Sequence, residues 1–287
     1  MTISLYTVCW NEADLVPFFF RHYDSWVDRY VIFDDGSDDG SRELLLANPK
    51  VEVRRFLRTS PESFVLSHTA LQNSVWKESR GRDAWVVITA IDEHLTVPRR
   101  PMRDYLAAQK REGVTYIPAR GFNMISDALP AGNRRLVDLI RHGAPSAGFN
   151  KLSIFDPDAI IDTGFATGRH TAQPAGRLVA PQSPELLLLH FKYLGFQRTF
   201  ERHRAEGARL GRLDIEKSYG RHYLFSEEQF RAKWDSVRSA AFDVWTHLEA
   251  MPASEDPAPE PSPGPPRRLI DRLRRLRFGR IRPGQTV

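Results

Sequence analysis

Tyr30-Val31-Ile32-Phe33-Asp34-Asp35-Gly36-Ser37-Asp38-Asp39-Gly40 is an apolar run that stops abruptly at a loop of acids and glycines. Branched and aromatic residues without alternation read as a strand buried on both faces, the signature of a parallel sheet. The pattern returns about fifty residues later, where Trp85-Val86-Val87-Ile88 leads to Asp92-Glu93-His94. In open α/β sheets, ligands bind at the carboxyl ends of such strands. Carboxylates gathered there repel one another unless a cation or hydrogen-bond donors hold them. The two clusters therefore mark a site.

Outward from these strands, the chain alternates strand and helix. Strands are predicted over residues 3–8, 30–33, 51–56 and 85–90, and helices over 14–23, 41–47 and 63–79, with Ser41 suited to capping the second. That order predicts an α/β fold, a Rossmann-like sheet with helices on both faces. Further strands are expected over 114–118, 151–155 and 186–192, with a polar segment containing Gly and Pro between the first two. From residue 196 to about 248 the pattern is helical and charged, a C-terminal helical extension. Domain boundaries follow: 1–225 for the sheet domain, 226–251 for a C-terminal helix, 252–266 for a linker with seven prolines, and 267–287 for a basic tail.

Composition narrows the class. The 287 residues carry 41% hydrophobic side chains, enough for one sizeable core, and a net charge of +5. Residues 267–287 hold eight arginines and one acid, a local +7, which leaves −2 for residues 1–266. A near-neutral body argues against nucleic acid as a partner, since binding domains carry their basic stripe on the fold. Cys9 is the single cysteine, so an intrachain disulfide and a cysteine zinc site are excluded. Met1-Thr2-Ile3-Ser4-Leu5 runs straight into a strand, so a signal peptide is not expected, and the location expected is cytoplasmic. Leu269, Ile270, Leu273 and Leu276 among the tail arginines fit a basic amphipathic helix, able to lie peripherally on the inner face of the plasma membrane or to stay a disordered tail.

The candidate residues are assigned by chemistry. Asp34 and Asp35 can accept hydrogen bonds from a nucleotide's base and ribose, although the loop is equally a helix-capping turn. Trp10-Asn11-Glu12, ending the first strand, lies beside it, and Trp10 can stack on a base. Asp92 suits a metal that neutralises a diphosphate leaving group, with Glu93 as a supporting group or a base. His170 and His190 each follow an apolar stretch and can join a carboxylate metal site. Lys151, Arg169 and Lys192 offer positive charge to phosphates. Asp127, in a loop after a strand, is a candidate general base.

In order, these segments resemble the family 2 glycosyltransferases, in the bacterial branch whose members begin with an Asn-Glu loop. Trp10-Asn11-Glu12 is similar to the nucleotide-side loop, and Asp34-Asp35-Gly36-Ser37-Asp38-Asp39-Gly40-Ser41 to the DDGSxDGS/T element. Residues 85–95 resemble the strand carrying the Asp-x-Asp-Glu metal motif. Gly121-Phe122-Asn123-Met124-Ile125-Ser126-Asp127 resembles the acceptor-side segment, and 151–155, 168–170 and 188–195 resemble later blocks, covering roughly residues 1–225. The resemblance implies a GT-A fold and a UDP-sugar or similar nucleoside-diphosphate donor. It also implies Mn2+ or Mg2+ and inverting, hexosyltransferase-type transfer to a glycan or lipid-linked acceptor in surface polysaccharide synthesis. It sets Trp10, Asn11, Glu12, Asp34, Asp35, position 90 and Lys151 on the nucleotide, Asp92, His190 and His170 on the metal, and Asp127 or Glu93 as base. One position departs: Ala90 stands where the motif has its first aspartate. A working variant, a substitution that traps a complex, and a catalytically silent nucleotide-sugar-binding or scaffold protein are all compatible with that methyl group.

Overall fold

The computed structural model describes residues 1–250. The four apolar runs form β1 (Ile3–Cys9), β2 (Arg29–Asp34), β3 (Val51–Arg55) and β4 (Trp85–Ile88), mutually parallel and each within two residues of its expected bounds. Between them lie α1 (Val16–Tyr23), α2 (Ser41–Leu46) and α3 (Phe64–Ser74), the last continued by a 3-10 turn, Val75–Ser79. The strand period of two divides their side chains cleanly. Ile3, Leu5, Tyr30, Ile32, Trp85 and Val87 pack with Phe19 and Tyr23 of α1 on one face. Tyr6, Val31, Phe33, Val86 and Ile88 pack with Trp76, Phe64 and Leu71 on the other. Helices therefore cover both faces, as the continuous apolar runs required, and the α/β expectation holds.

Ser41 does not cap α2. Gly40, at φ 92°, is the capping position, and the Ser41 hydroxyl instead accepts the Glu12 N–H at 2.7 Å. A left-handed turn there suits glycine, which has no Cβ to clash.

The middle of the chain is more ordered than its composition suggested. β5 (Glu93–Thr96), α4 (Met102–Arg111), β6 (Tyr116–Pro118), β7 (Arg120–Ser126), α5 (Leu136–Leu139), β8 (His142–Pro145) and β9 (Leu152–Phe155) follow in order. A small ribbon of β10 (Ile160–Asp162) and β11 (Ala175–Gly176) precedes β12 (Leu187–Leu194). The first sheet runs β3-β2-β1-β4-β9-β6, with β9 antiparallel to both neighbours. The unexpected feature is a second sheet, whose β7 and β12 are parallel and whose β5 and β8 flank them antiparallel.

After β12 come α6 (Phe196–Ala208), α7 (Arg212–Glu216), a 3-10 turn at Arg221–Leu224, and α8 (Glu227–Ala240). Residues 226–250 are not the single helix expected. β13 (Phe242–Asp243) interrupts them, pairs with β8 and closes the edge of the second sheet, and α9 (Val244–Ala250) follows. Phe230, Trp234 and Val237 of α8 bury themselves against Ile125 and Tyr193, so this segment belongs to the body. The proposed linker 252–266 and basic tail 267–287 lie outside the described residues. Among the described residues no helix is long and apolar enough to cross a membrane.

Candidate functional site: a strand-end cavity and a carboxylate–histidine pair

Parallel pairing brings the first two loops together. Cys9 faces Asp34 in register, and the Asp35 N–H donates to the Cys9 carbonyl at 2.9 Å, so Trp10 and Asp35 leave the sheet side by side. Most of the acidic loop then binds its neighbour rather than facing outward. Asn11 donates to Asp38 Oδ1 at 2.7 Å and accepts from the Asp38 N–H at 2.9 Å, and the Asn11 N–H donates to Ser37 Oγ at 3.0 Å. Asp39 accepts from the Ala13 and Ser41 N–H groups, both at 2.9 Å. Asn11 therefore shapes the loop, with φ at 49°, a left-handed conformation that asparagine tolerates. Its side-chain amide is engaged by the loop at both ends. Asp34 is buried and accepts the Ser37 N–H at 3.1 Å.

Asp34, Asp35 and Gly36 line a cavity of about 350 Å³ with Arg55, Phe56, Leu57 and Arg58. Asp35 pairs with Arg58 at 3.2 Å and with Arg209 from the end of α6. Arg209 also lies over Trp10, its guanidinium carbon 3.5 Å from the ring centroid. Arg202, two helical turns earlier, donates to the carbonyls of Trp10 and Asn11 at 2.7 and 2.6 Å and to Glu12 at 2.6 Å, and it pairs with Glu206 at 3.0 Å. The helix thus latches the first loop. Arg58, Arg202, Glu206 and Arg209 were not singled out in the sequence. The α6 trio recurs at i, i+4 and i+7, one helix face, a spacing that was visible but reads equally as a solvated stripe.

The second cluster separates into three fates. Asp92 stays partly open, its side chain 24% exposed, and its Oδ2 lies 3.0 Å from His190 Nε2. Burial alone would raise the Asp92 carboxyl, yet His190 holds it below the ordinary carboxylate range. Glu93 turns into the core, where Lys151 binds one oxygen at 2.5 Å and Arg169 the other at 2.7 Å. Burial disfavours its charge, but the two cations outweigh that and drive its pKa far down. A carboxylate held this firmly ionised, with both oxygens engaged, is a poor proton acceptor. The same pairing engages the Lys151 ammonium within the core. His94 is buried and stacks on His22 at 4.6 Å.

The remaining expectations diverge. His190 faces Glu93 across the β12–β5 ladder and Asn123 across β12–β7, so the unforeseen second sheet delivers it to Asp92. His170 does not join them. It is exposed, its Nδ1 sits 2.6 Å from the Gly148 carbonyl, and Phe149 lies between it and His190, stacked on the latter at 4.0 Å. Asp127 lies four residues beyond Asn123, roughly 13 Å along a strand; its side chain is 84% exposed and pairs with Arg238 at 3.0 Å. Neither reaches the pair. Ala90 contributes its N–H to Glu93 Oε2 at 3.2 Å.

Among the described residues, no group of three or more His, Cys, Asp or Glu side chains is placed to hold a metal ion. The pair itself suits a cation. His190 Nδ1 meets Asn123 Oδ1 at 2.9 Å, and an amide oxygen can only accept. In the neutral ring that leaves the Nε2 electron pair facing Asp92 Oδ2, and a proton or a metal ion between them reconciles the two. A ligating histidine is commonly oriented in this way, with its other N–H fixed by an oxygen. Two protein donors suffice for a cation whose other positions are filled by phosphate oxygens. The two ends of the site are joined through charge: Asp92 acts on Arg202 and on Lys192, although Asp92 and His190 do not line the 350 Å³ cavity.

No protein-family model and no curated protein matches the chain. Solved structures give slight likenesses. Glucosyl-3-phosphoglycerate synthase from Mycobacterium tuberculosis, in complex with Mn2+, UDP and glucosyl-3-phosphoglycerate, is similar at 20% identity and a TM-score of 0.27, over 42% of this chain and 44% of that one. The bifunctional glycosyltransferase WbbM is similar at 13% identity and a TM-score of 0.27, over 42% of this chain and 23% of that one. A 4-diphosphocytidyl-2C-methyl-D-erythritol synthase is similar at 12% identity with the same TM-score, over 55% of this chain and 76% of that one. The chain spans less than half the length of either glycosyltransferase. At these identities and TM-scores, none of the likenesses bears on what this chain does.

Proposed function

We propose that the chain is a GT-A glycosyltransferase of the family 2 type, moving a sugar from a nucleoside-diphosphate donor, UDP-linked by preference, to a glycan or lipid-linked acceptor. The observation that carries this reading is the cavity that Asp34, Asp35 and Arg58 line at the carboxyl edge of a parallel sheet, with Trp10 held against Arg209, the partner of Asp35, and the Asp92–His190 pair beyond the end of β4, the strand that pairs with β1. Trp10 offers a stacking face, Asp34 and Asp35 offer acceptors to base and ribose, and Arg58 offers donors. Asp92 and His190 would hold a divalent cation, Mn2+ or Mg2+, which when bound neutralises charge on the diphosphate. Glu93, Lys151 and Arg169 act beneath the site, tying the β4–β5 loop to β9 so that Asp92 is presented rigidly. Inversion, a role in bacterial surface polysaccharide synthesis, and a cytoplasmic place with peripheral membrane contact through 267–287 belong to the same proposal.

A second reading is favoured by Ala90, whose methyl group cannot hydrogen-bond a ribose or a metal's water shell: a nucleotide-sugar-binding protein without transfer activity. A thermal-shift panel of nucleotide sugars, with and without Mn2+, tests the common part, since ligands that bind the native state raise its melting point. A rise with UDP-sugars supports both readings, and release of UDP on incubation with donor and acceptor selects the first. A flat panel removes both.

A further inference from the structure

Of the side-chain cations around the candidate site, five are matched by carboxylates, and Arg55 on the cavity rim is exposed to solvent. Lys151 and Arg169 share Glu93, Arg202 holds Glu12 and Glu206, and Arg58 and Arg209 share Asp35. Lys192 differs from both groups, being partly buried and unmatched. Among the described residues no hydrogen bond or ion pair engages its ammonium, and its contact is the Tyr223 ring, 4.7 Å from Nζ. It stands on β12 two residues past His190. Phe191 between them is buried and donates its N–H to the Asp92 carbonyl at 2.7 Å, which fixes the strand against the Asp92 loop. The nearby acids are already engaged, Asp92 by His190 and Glu206 by Arg202.

A half-buried ammonium without a counter-ion is costly unless a ligand brings the charge. The partner must be anionic, come from outside the chain, and lie at the Asp92–His190 end. We propose that Lys192 binds the diphosphate of the nucleotide donor, an inference that rests on the nucleotide-sugar reading. In the transfer, the bond from the sugar's anomeric carbon to the β-phosphate oxygen breaks and that oxygen keeps the electron pair. The acceptor hydroxyl oxygen bonds the anomeric carbon and yields its proton to water. Lys192 meets the charge that accumulates on the leaving oxygen.

Calorimetric titration of the full chain with UDP and with uridine, in EDTA, separates the charge from the base. Lys192→Met keeps the stem over Tyr223 and removes the ammonium. It is expected to weaken UDP by about tenfold or more while leaving uridine unchanged, and Lys192→Arg should recover most of the loss. An unchanged UDP affinity in Lys192→Met, or an equal loss for uridine, overturns the inference while the nucleotide reading stands. If the unsubstituted chain binds neither ligand, in EDTA or in Mn2+, both fall together.

Discussion

Ala90 shows how tightly a single position is bound into the β4–β5 turn. Its N–H, the Thr89 hydroxyl at 3.3 Å and Arg169 all converge on Glu93 Oε2, so the backbone at 90 is fixed two residues before Asp92. A side chain placed there acts on the neighbourhood of Asp92 without repacking the core. Ala90→Asp is therefore expected to raise UDP affinity about tenfold in Mn2+ and to leave it unchanged, or lower, in EDTA, because a second carboxylate helps only when a cation shares the charge. Calorimetric titration of both forms under the two conditions checks this. Equal Mn2+ dependence would mean that position 90 has no part in cation binding.

Elements differ in how openly their sequences announce them. β1 to β4 were legible because buried parallel strands are unbroken apolar runs with polar ends. The second sheet was not: β8 is His142-Gly143-Ala144-Pro145, without a branched residue, and β7 mixes Arg120, Asn123 and Ser126 with its apolar positions. Such strands are held by their neighbours rather than by propensity. The site followed suit. The clusters at 34–35 and 92 announced themselves, but the Glu93 ion pairs span 58 and 76 residues and the α6 contacts about 190, separations that local pattern does not reveal.

The α6 contacts also carry a prediction. Arg209 covers the Trp10 face and occupies Asp35, so a base that stacks on Trp10 must first displace it. A ligand's apparent affinity falls with the fraction of the chain held in the covered state. Arg209→Ala is expected to bind UDP severalfold more tightly, by the same titration. Weaker binding would make Arg209 a direct contact instead of a cover.

At the scale of the whole molecule, buried titratable groups set the response to acid. His22, His94 and His203 are 3%, 0% and 5% exposed. Burial pushes His22 down to about 4 and His203 to about 2, and lowers His94 well below its ordinary value. In the unfolded chain each titrates near 6.5. The folded state therefore refuses protons that the unfolded state accepts, and stability present above about pH 6.5 is lost as pH falls, by about 1.4 kcal/mol per pH unit for each histidine. Glu93 adds a second window. Its folded pKa is depressed, so its contribution is complete above the unfolded value of about 4.3 and is lost below it. Urea denaturation from pH 8 to 3 should thus show a plateau, a decline beginning near 6.5, and a decline that continues below about 4.3, where Glu93 takes over as the His22 contribution ends near 4. Glu93→Gln leaves Lys151 and Arg169 buried without their carboxylate, which is expected to cost about 3–5 kcal/mol at pH 7 and to flatten the lower limb alone. A profile level between pH 7 and 5 would place the histidines in contact with solvent protons. A variant that kept the lower limb would move the acid-sensitive carboxylate elsewhere.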